Sequence, residues 1–128
     1  MKIEHAAYQV EDARSMAKWY VEHLGFTVRR GSDTSPFMHF LADDSRTVMI
    51  EIYSFPNVAT PDYRTQDPLV VHLALVSKDV AADRERLIAA GATAAGEMTT
   101  NDMGDQLAIL HDPWGFAIQL VKRSQPMI

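Results

Sequence analysis

Ile3-Glu4-His5-Ala6-Ala7-Tyr8-Gln9-Val10 decides the reading of this chain, because Val70-Val71-His72-Leu73-Ala74-Leu75-Val76 answers it. Each is an alternating or apolar run with one His inside it. Each is followed by a charged cap and an amphipathic helix that stops at a glycine, Gly25 in one case and Gly91 in the other. His5 and His72 are 67 residues apart, and the two glycines 66 apart. A second polar pair comes late in each half. Glu51 lies in Val48-Met49-Ile50-Glu51-Ile52-Tyr53, and Gln119 lies 68 residues later in Phe116-Ala117-Ile118-Gln119-Leu120-Val121. Four polar side chains at nearly one offset, inside otherwise apolar strands, indicate a duplicated module with a shared site.

The surrounding pattern supplies the elements. A first strand is expected over Lys2–Val10. A helix follows over Asp12–Leu24, with Ala13, Met16, Ala17, Tyr20 and Leu24 at helical spacing. Asp12 suits its start and Gly25 a left-handed stop. Phe26–Arg30, Phe37–Ala42 and Thr47–Ser54 read as strands, with turn residues at Gly31 to Pro36 and at Asp43–Asp44. The second half repeats the order. A strand over Val70–Val76 precedes a helix capped by Asp79 and running to about Ala90, with Val80, Leu87 and Ile88 on its buried face. Strands are expected over Thr93–Thr99, Asp105–His111 and Phe116–Lys122, the last entered through the turn Asp112-Pro113-Trp114-Gly115. The expected fold is therefore α+β. Two tandem βαβββ modules, about 1–55 and 69–123, form a curved, partly closed mixed sheet with helices on its outer face. They make one domain over 1–128, joined by a linker 56–68 that Pro56, Pro61 and Pro68 are expected to keep stiff and extended.

Bulk composition bounds the function. A chain of 128 residues buries a real core, and 47% hydrophobic with 23% charged residues is a globular balance. The formal net charge of −5, without a basic block, argues against a nucleic-acid partner. The absence of cysteine excludes disulfides, thiolate nucleophiles and Cys-based metal sites. No apolar run is long enough to span a membrane. Glu4 and His5 stand where an export signal needs apolar residues, so the expected address is cytoplasmic.

Strand parity sharpens the site. Side chains alternate across a strand, so His5 shares a face with Ile3, Ala7 and Gln9. Glu51 shares one with Met49 and Tyr53, His72 with Val70 and Ala74, and Gln119 with Ala117 and Val121. The opposite faces are consistently apolar and suit packing under the helices. His5, Glu51, His72 and Gln119 are therefore expected to face away from the helices, into a concave surface.

These residues in a duplicated βαβββ order resemble the vicinal-oxygen-chelate superfamily, which includes glyoxalase I, methylmalonyl-CoA epimerase, extradiol dioxygenases and fosfomycin- and bleomycin-resistance proteins. The resemblance runs from Ile3 to about Arg123. Leu110-His111-Asp112-Pro113-Trp114-Gly115-Phe116 is similar to the family's Asp-Pro-x-Gly turn before its last strand. The resemblance implies a metal site on His5, Glu51, His72 and Gln119. Imidazole, carboxylate and amide donors suit a divalent ion such as Zn, Ni, Co, Mn or Fe(II). Open positions on such an ion would take two neighbouring oxygens of a small-molecule substrate, implying a lyase or isomerase. Relatives of this size imply a homodimer.

The sequence also departs from the family. Gln119 stands where many relatives have Glu, and an amide cannot take up a proton at neutral pH. Gln9 and Phe55 stand where glutathione-dependent glyoxalase I usually has Arg and Asn. These mismatches argue against a glutathione hemithioacetal substrate and leave Glu51 as the candidate catalytic carboxylate. Two main readings follow. One is a metal-dependent lyase or isomerase; the other is a metal-free protein that sequesters a small molecule, as bleomycin-resistance members do. A weaker third is a small partner-binding subunit. Among the remaining polar and large residues, His111 reads as a turn residue, and His23 and His39 as ordinary. Trp19 and Trp114 suit packing and a turn. Tyr53 suits either packing or substrate orientation. Arg30, Arg64 and Lys122 read as solvated charges, with one of them a candidate for an anionic substrate. Met98 and Met103 read as cleft lining or filler.

Overall fold

The computed structural model describes residues 1–127. The chain divides into two compact units, Met1–Pro61 and the chain from Asp62 onward. The first carries β1 (His5–Gln9), α1 (Ala13–Leu24), β2 (Thr27–Gly31), β3 (His39–Ala42) and β4 (Met49–Tyr53). The second carries β5 (Leu73–Val76), α2 (Val80–Ala89), β6 (Thr93–Ala94), β7 (Thr99–Thr100), β8 (Gln106–His111) and β9 (Ala117–Lys122). The strands hydrogen bond as two mixed sheets, one per module. Their orders are β1-β4-β3-β2 and β5-β9-β8-β6, with β7 also on β8. In each, the first and last strands of the module run parallel. The α+β class and the duplicated βαβββ plan stand.

The helix signals act as expected. Asp12 accepts the backbone N–H of Ser15 at 3.0 Å, and hydrogen bonds from Ser15 hold its carboxyl below the usual carboxylate range. Asp79 accepts from Ala82 at 3.0 Å in the same way. Gly25 closes α1 in the left-handed conformation at φ 75°. Ala13, Met16, Ala17, Trp19 and Tyr20 are buried on α1, and Leu41, Ile50 and Ile52 are buried on the sheet residues of the same unit. Each large apolar side chain so buried stabilises by roughly 1.5–3 kcal/mol relative to exposure.

Several expectations are corrected. Val70 and Val71 are not in a strand. Asp67 takes the N–H of Leu69 on its side chain and that of Val70 on its carbonyl, both at 2.9 Å. That turn leaves His72 just before β5, and β5 begins one residue later. Ile88 is 37% exposed, because only Val80 and Leu87 fall on the face of α2 that is buried. The strand expected over Thr93–Thr99 is two short pieces, β6 and β7, interrupted at Gly96 with φ 95°. The proline-containing linker is turned rather than extended, with tight turns at 56–58, 63–66 and 68–70.

Candidate functional site

The register of each unit places the polar strand residues in matching positions. In the first unit Ala7 pairs with Glu51, and in the second Ala74 pairs with Gln119. His5 lies two residues before Ala7, and His72 two before Ala74. Each unit thus places a His two residues ahead of the residue that pairs with its second polar donor, His5 within β1 and His72 just before β5. Alternation explains the burial on β4: Ile50 and Ile52 are buried against the helix side, while Met49, Glu51 and Tyr53 are only partly covered.

His5 and Glu51 meet directly. His5 Nε2 lies 3.3 Å from Glu51 Oε2, in a setting where the Glu51 side chain is only 12% exposed and that of His5 33%. The other ring nitrogen, Nδ1, contacts Glu4 Oε2. The imidazole stands edge-on to Phe40, with centroids 5.3 Å apart and an interplanar angle of 87°. A neutral imidazole has one N–H for these two carboxylates. With that proton on Nδ1, toward Glu4, the Nε2 lone pair faces a carboxylate oxygen. Two acceptors at that distance need a proton or a cation between them. The separation also suits a cation: two donors each about 2.0–2.2 Å from an ion, at tetrahedral or octahedral angles, stand roughly 3–3.5 Å apart. A carboxylate on the far nitrogen is the usual brace of a ligating His.

His72 is prepared in a comparable way. Its Nδ1 lies 2.8 Å from the carbonyl oxygen of Pro68, which takes an N–H there and leaves Nε2 with its lone pair. Gln119 is partly covered on β9 between Ala74 and Ile109. Among the described residues, no group of three or more His, Asp or Glu side chains gathers as a metal-holding cluster. The donor types and the His5–Glu51 spacing fit a divalent ion.

The remaining histidines have other work. His111 Nδ1 bonds the carbonyl of Gly115 at 2.6 Å, inside the turn. His39 Nδ1 bonds the carbonyl of Phe37 at 2.7 Å. His23 packs on Trp19 with centroids 5.1 Å apart. Gln9 clamps the start of the linker: its amide donates to the carbonyls of Phe55 and Val58 at 3.0 and 3.1 Å and accepts from the Phe55 N–H at 3.0 Å. A side chain so occupied is a loop fastener. Tyr53 stacks edge-on to Phe55 with centroids 5.0 Å apart. Arg64 donates to the carbonyl of Pro113 at 2.5 Å. Lys122 and Met103 are exposed.

Two buried carboxylates shape the second unit without entering a site. Asp112 accepts the N–H groups of Trp114 and Phe116 on one oxygen, each at 2.9 Å, and so builds the turn into β9. Asp105 accepts from Ser124 N–H at 2.8 Å, from Arg123 at 2.8 Å and from Asn101 at 3.3 Å. Led by the Ser124 backbone bond, these lower its pKa to about 2. Sequence reasoning missed Glu4 and Arg29. Strict alternation sends Glu4 and His5 to opposite faces, but β1 begins only at His5, so Glu4 is free to turn back onto the ring.

The family model for the Glyoxalase/Bleomycin resistance protein/Dioxygenase superfamily matches residues 2–120. No curated protein matches the chain. Among solved structures, the protein SMU.1112c is 28% identical with a TM-score of 0.74, covering 95% of this chain and 98% of that one. A glyoxalase I mutant from Zea mays is 25% identical with a TM-score of 0.74, covering 97% of this chain and 46% of that one. TnmS3, an antibiotic binding protein from Streptomyces sp. CB03234, is 21% identical with a TM-score of 0.72 and 97% coverage of each chain.

Proposed function

Since the chain belongs to the Glyoxalase/Bleomycin resistance protein/Dioxygenase superfamily, we propose that it is a metal-dependent lyase or isomerase acting on a small substrate with adjacent oxygens. The observation that carries this reading is the His5–Glu51 contact, with Glu4 bracing the far side of the ring. His5, Glu51, His72 and Gln119 would hold the ion, and the two modules would act as one functional domain. A divalent ion bound there would supply Lewis-acid polarisation of the substrate oxygens. Glu51 is the residue assigned to move a proton: one of its oxygens faces His5, and the other is available to the substrate. Gln119 holds and orients, since its amide has no basicity to offer. Phe40 fixes the imidazole plane.

Metal uptake tests the reading. Chelator-stripped protein is offered Zn, Ni, Co, Mn and Fe(II), and bound metal is counted. One ion per chain, lost in a His5→Ala, His72→Ala double variant, is the expected result. No uptake by the intact chain would sink the proposal. In that event the favoured reading is a metal-free protein that sequesters a small molecule, as TnmS3 binds an antibiotic. What supports this second reading is Gln119, an amide where many relatives have a carboxylate, together with Gln9 and Phe55 where glutathione contacts would be expected. A homodimer belongs to both readings. Its support is the apolar surface at the β5 edge, where Leu69, Val70 and Val76 are 81%, 70% and 85% exposed. Sedimentation equilibrium checks it, with a single-chain mass as the contrary result.

A further inference from the structure

We infer that the hollow lined by Arg29, Arg30, Phe40, Met49 and Glu4 recognises an anionic oxygen group, carboxylate or phosphate, on the molecule that reaches His5 and Glu51. This rests on the site proposed above for its purpose, although its test does not. The geometry begins with a β-bulge. Val28 pairs with Leu41 and Arg30 with Phe40, so Arg29 is an extra residue in β2. A regular strand sends consecutive side chains to opposite faces; a bulge re-aims one of them. Here both arginines line one hollow of about 260 Å³. That volume suits a small anionic group and a few carbons.

The hollow adjoins the proposed site through the sheet register. Arg30 pairs with Phe40, and Phe40 pairs with Glu51. Arg30 is therefore two strand spacings, roughly 10 Å, from Glu51 along the backbone row. Phe40 lies between them and also packs against the His5 ring. A short molecule with an anionic end on the arginines would cross Phe40 and place its other end at His5 and Glu51.

Charge and symmetry point the same way. Among the described residues, neither the Arg29 nor the Arg30 guanidinium has a hydrogen bond or ion-pair partner, and both residues are exposed. The carboxylate among the lining residues, Glu4, is turned to His5 Nδ1. Two adjacent cations without an ion-pair partner repel, and a planar oxyanion relieves that through paired N–H bonds. The fold does not require them. In the second unit the matching row is Ala74, Gln119 and Ile109, and Ala95 donates its N–H to the Ile109 carbonyl at 2.9 Å. Where that unit has alanine, the first has a bulged arginine pair.

The test uses the full-length chain stripped of metal with EDTA, at fixed ionic strength. Inorganic phosphate and acetate are titrated separately while the arginine Nε–Hε signals are followed by NMR and the affinity by calorimetry. Saturable shifts at Arg29 and Arg30 are expected, with affinity at least roughly tenfold weaker in R29Q/R30Q and unchanged in R46Q. Tighter phosphate binding supports a phosphate monoester, and tighter acetate binding supports a carboxylate. No saturable response at these two signals in the wild-type chain, or undiminished affinity in R29Q/R30Q, overturns the inference. R29Q/R30Q should still take up divalent metal like the wild type. Failure of the anion site and failure of the metal reading are therefore separate results.

Discussion

Replacing Asp112 isolates the turn that launches the last strand. Asp112 is 0% exposed, and a single carboxylate oxygen takes both the Trp114 and the Phe116 N–H at 2.9 Å. Asp112→Ala leaves both donors without that oxygen. The Phe116 bond is buried and the Trp114 bond part-buried, so orphaning them should cost about 2 and 1 kcal/mol, roughly 3 in all. Asp112→Asn keeps one oxygen in the same place. It should hold both N–H groups with weaker bonds, a loss of about 1 kcal/mol. With a urea m-value near 2 kcal/mol/M, the Ala variant should unfold about 1.5 M earlier and the Asn variant about 0.5 M earlier. Equilibrium urea unfolding measures both. The reasoning fails if Ala lies within about 1 kcal/mol of wild type, or if Asn is as damaging as Ala. The consequence extends beyond stability. The turn sets His111 opposite Ala117 and thereby fixes Gln119 opposite Ala74, so a slipped turn displaces a proposed ligand.

The same turn needs Gly115. At φ 92° an added Cβ would lie 2.9 Å from the Arg64 backbone nitrogen, so Gly115→Ala should lose about 2–4 kcal/mol in thermal or urea unfolding. Its counterpart in the first unit is Arg46, a non-glycine residue at φ 56°, and Arg46→Gly should raise the unfolding midpoint slightly, by up to about 1 kcal/mol. Asp105 has a folded pKa depressed to about 2, so its contribution is complete above its unfolded value near 3.9. That contribution is lost as pH falls from about 4 through about 2, and Asp105→Asn should flatten this part of an acid-unfolding profile. Gln119→Glu should tighten divalent-metal uptake by adding a carboxylate donor; unchanged affinity by calorimetry would remove Gln119 from the site.

Much of the candidate site was legible because repetition and strand parity are properties of sequence. His5 and Glu51 were placed on one face by alternation alone, and they meet at 3.3 Å. Asp12, Gly25, Asp79 and the Asp112 turn were legible because capping and turn chemistry act within a few residues. Other features depended on competition between local signals. Val70–Val76 has the composition of one strand, yet Asp67 draws its first residues into a turn. Gln9 was legible as a departure from the family, but its bonds to Phe55 and Val58 show why the position is occupied as it is.

The sequence by itself determined the doubled module, the helix ends, and that His5, Glu51 and Gln119 stand inside apolar strands, because periodicity and capping are local; His72, expected in a strand, lies just before β5. Only the tertiary structure decided what each polar group faces. Glu4 reaches His5 because β1 starts late, and Arg29 joins Arg30 because β2 gains a residue against β3. Both depend on pairing with a partner strand distant in the chain. A bulge shifts register relative to that partner, and no pattern within five residues of β2 specifies it.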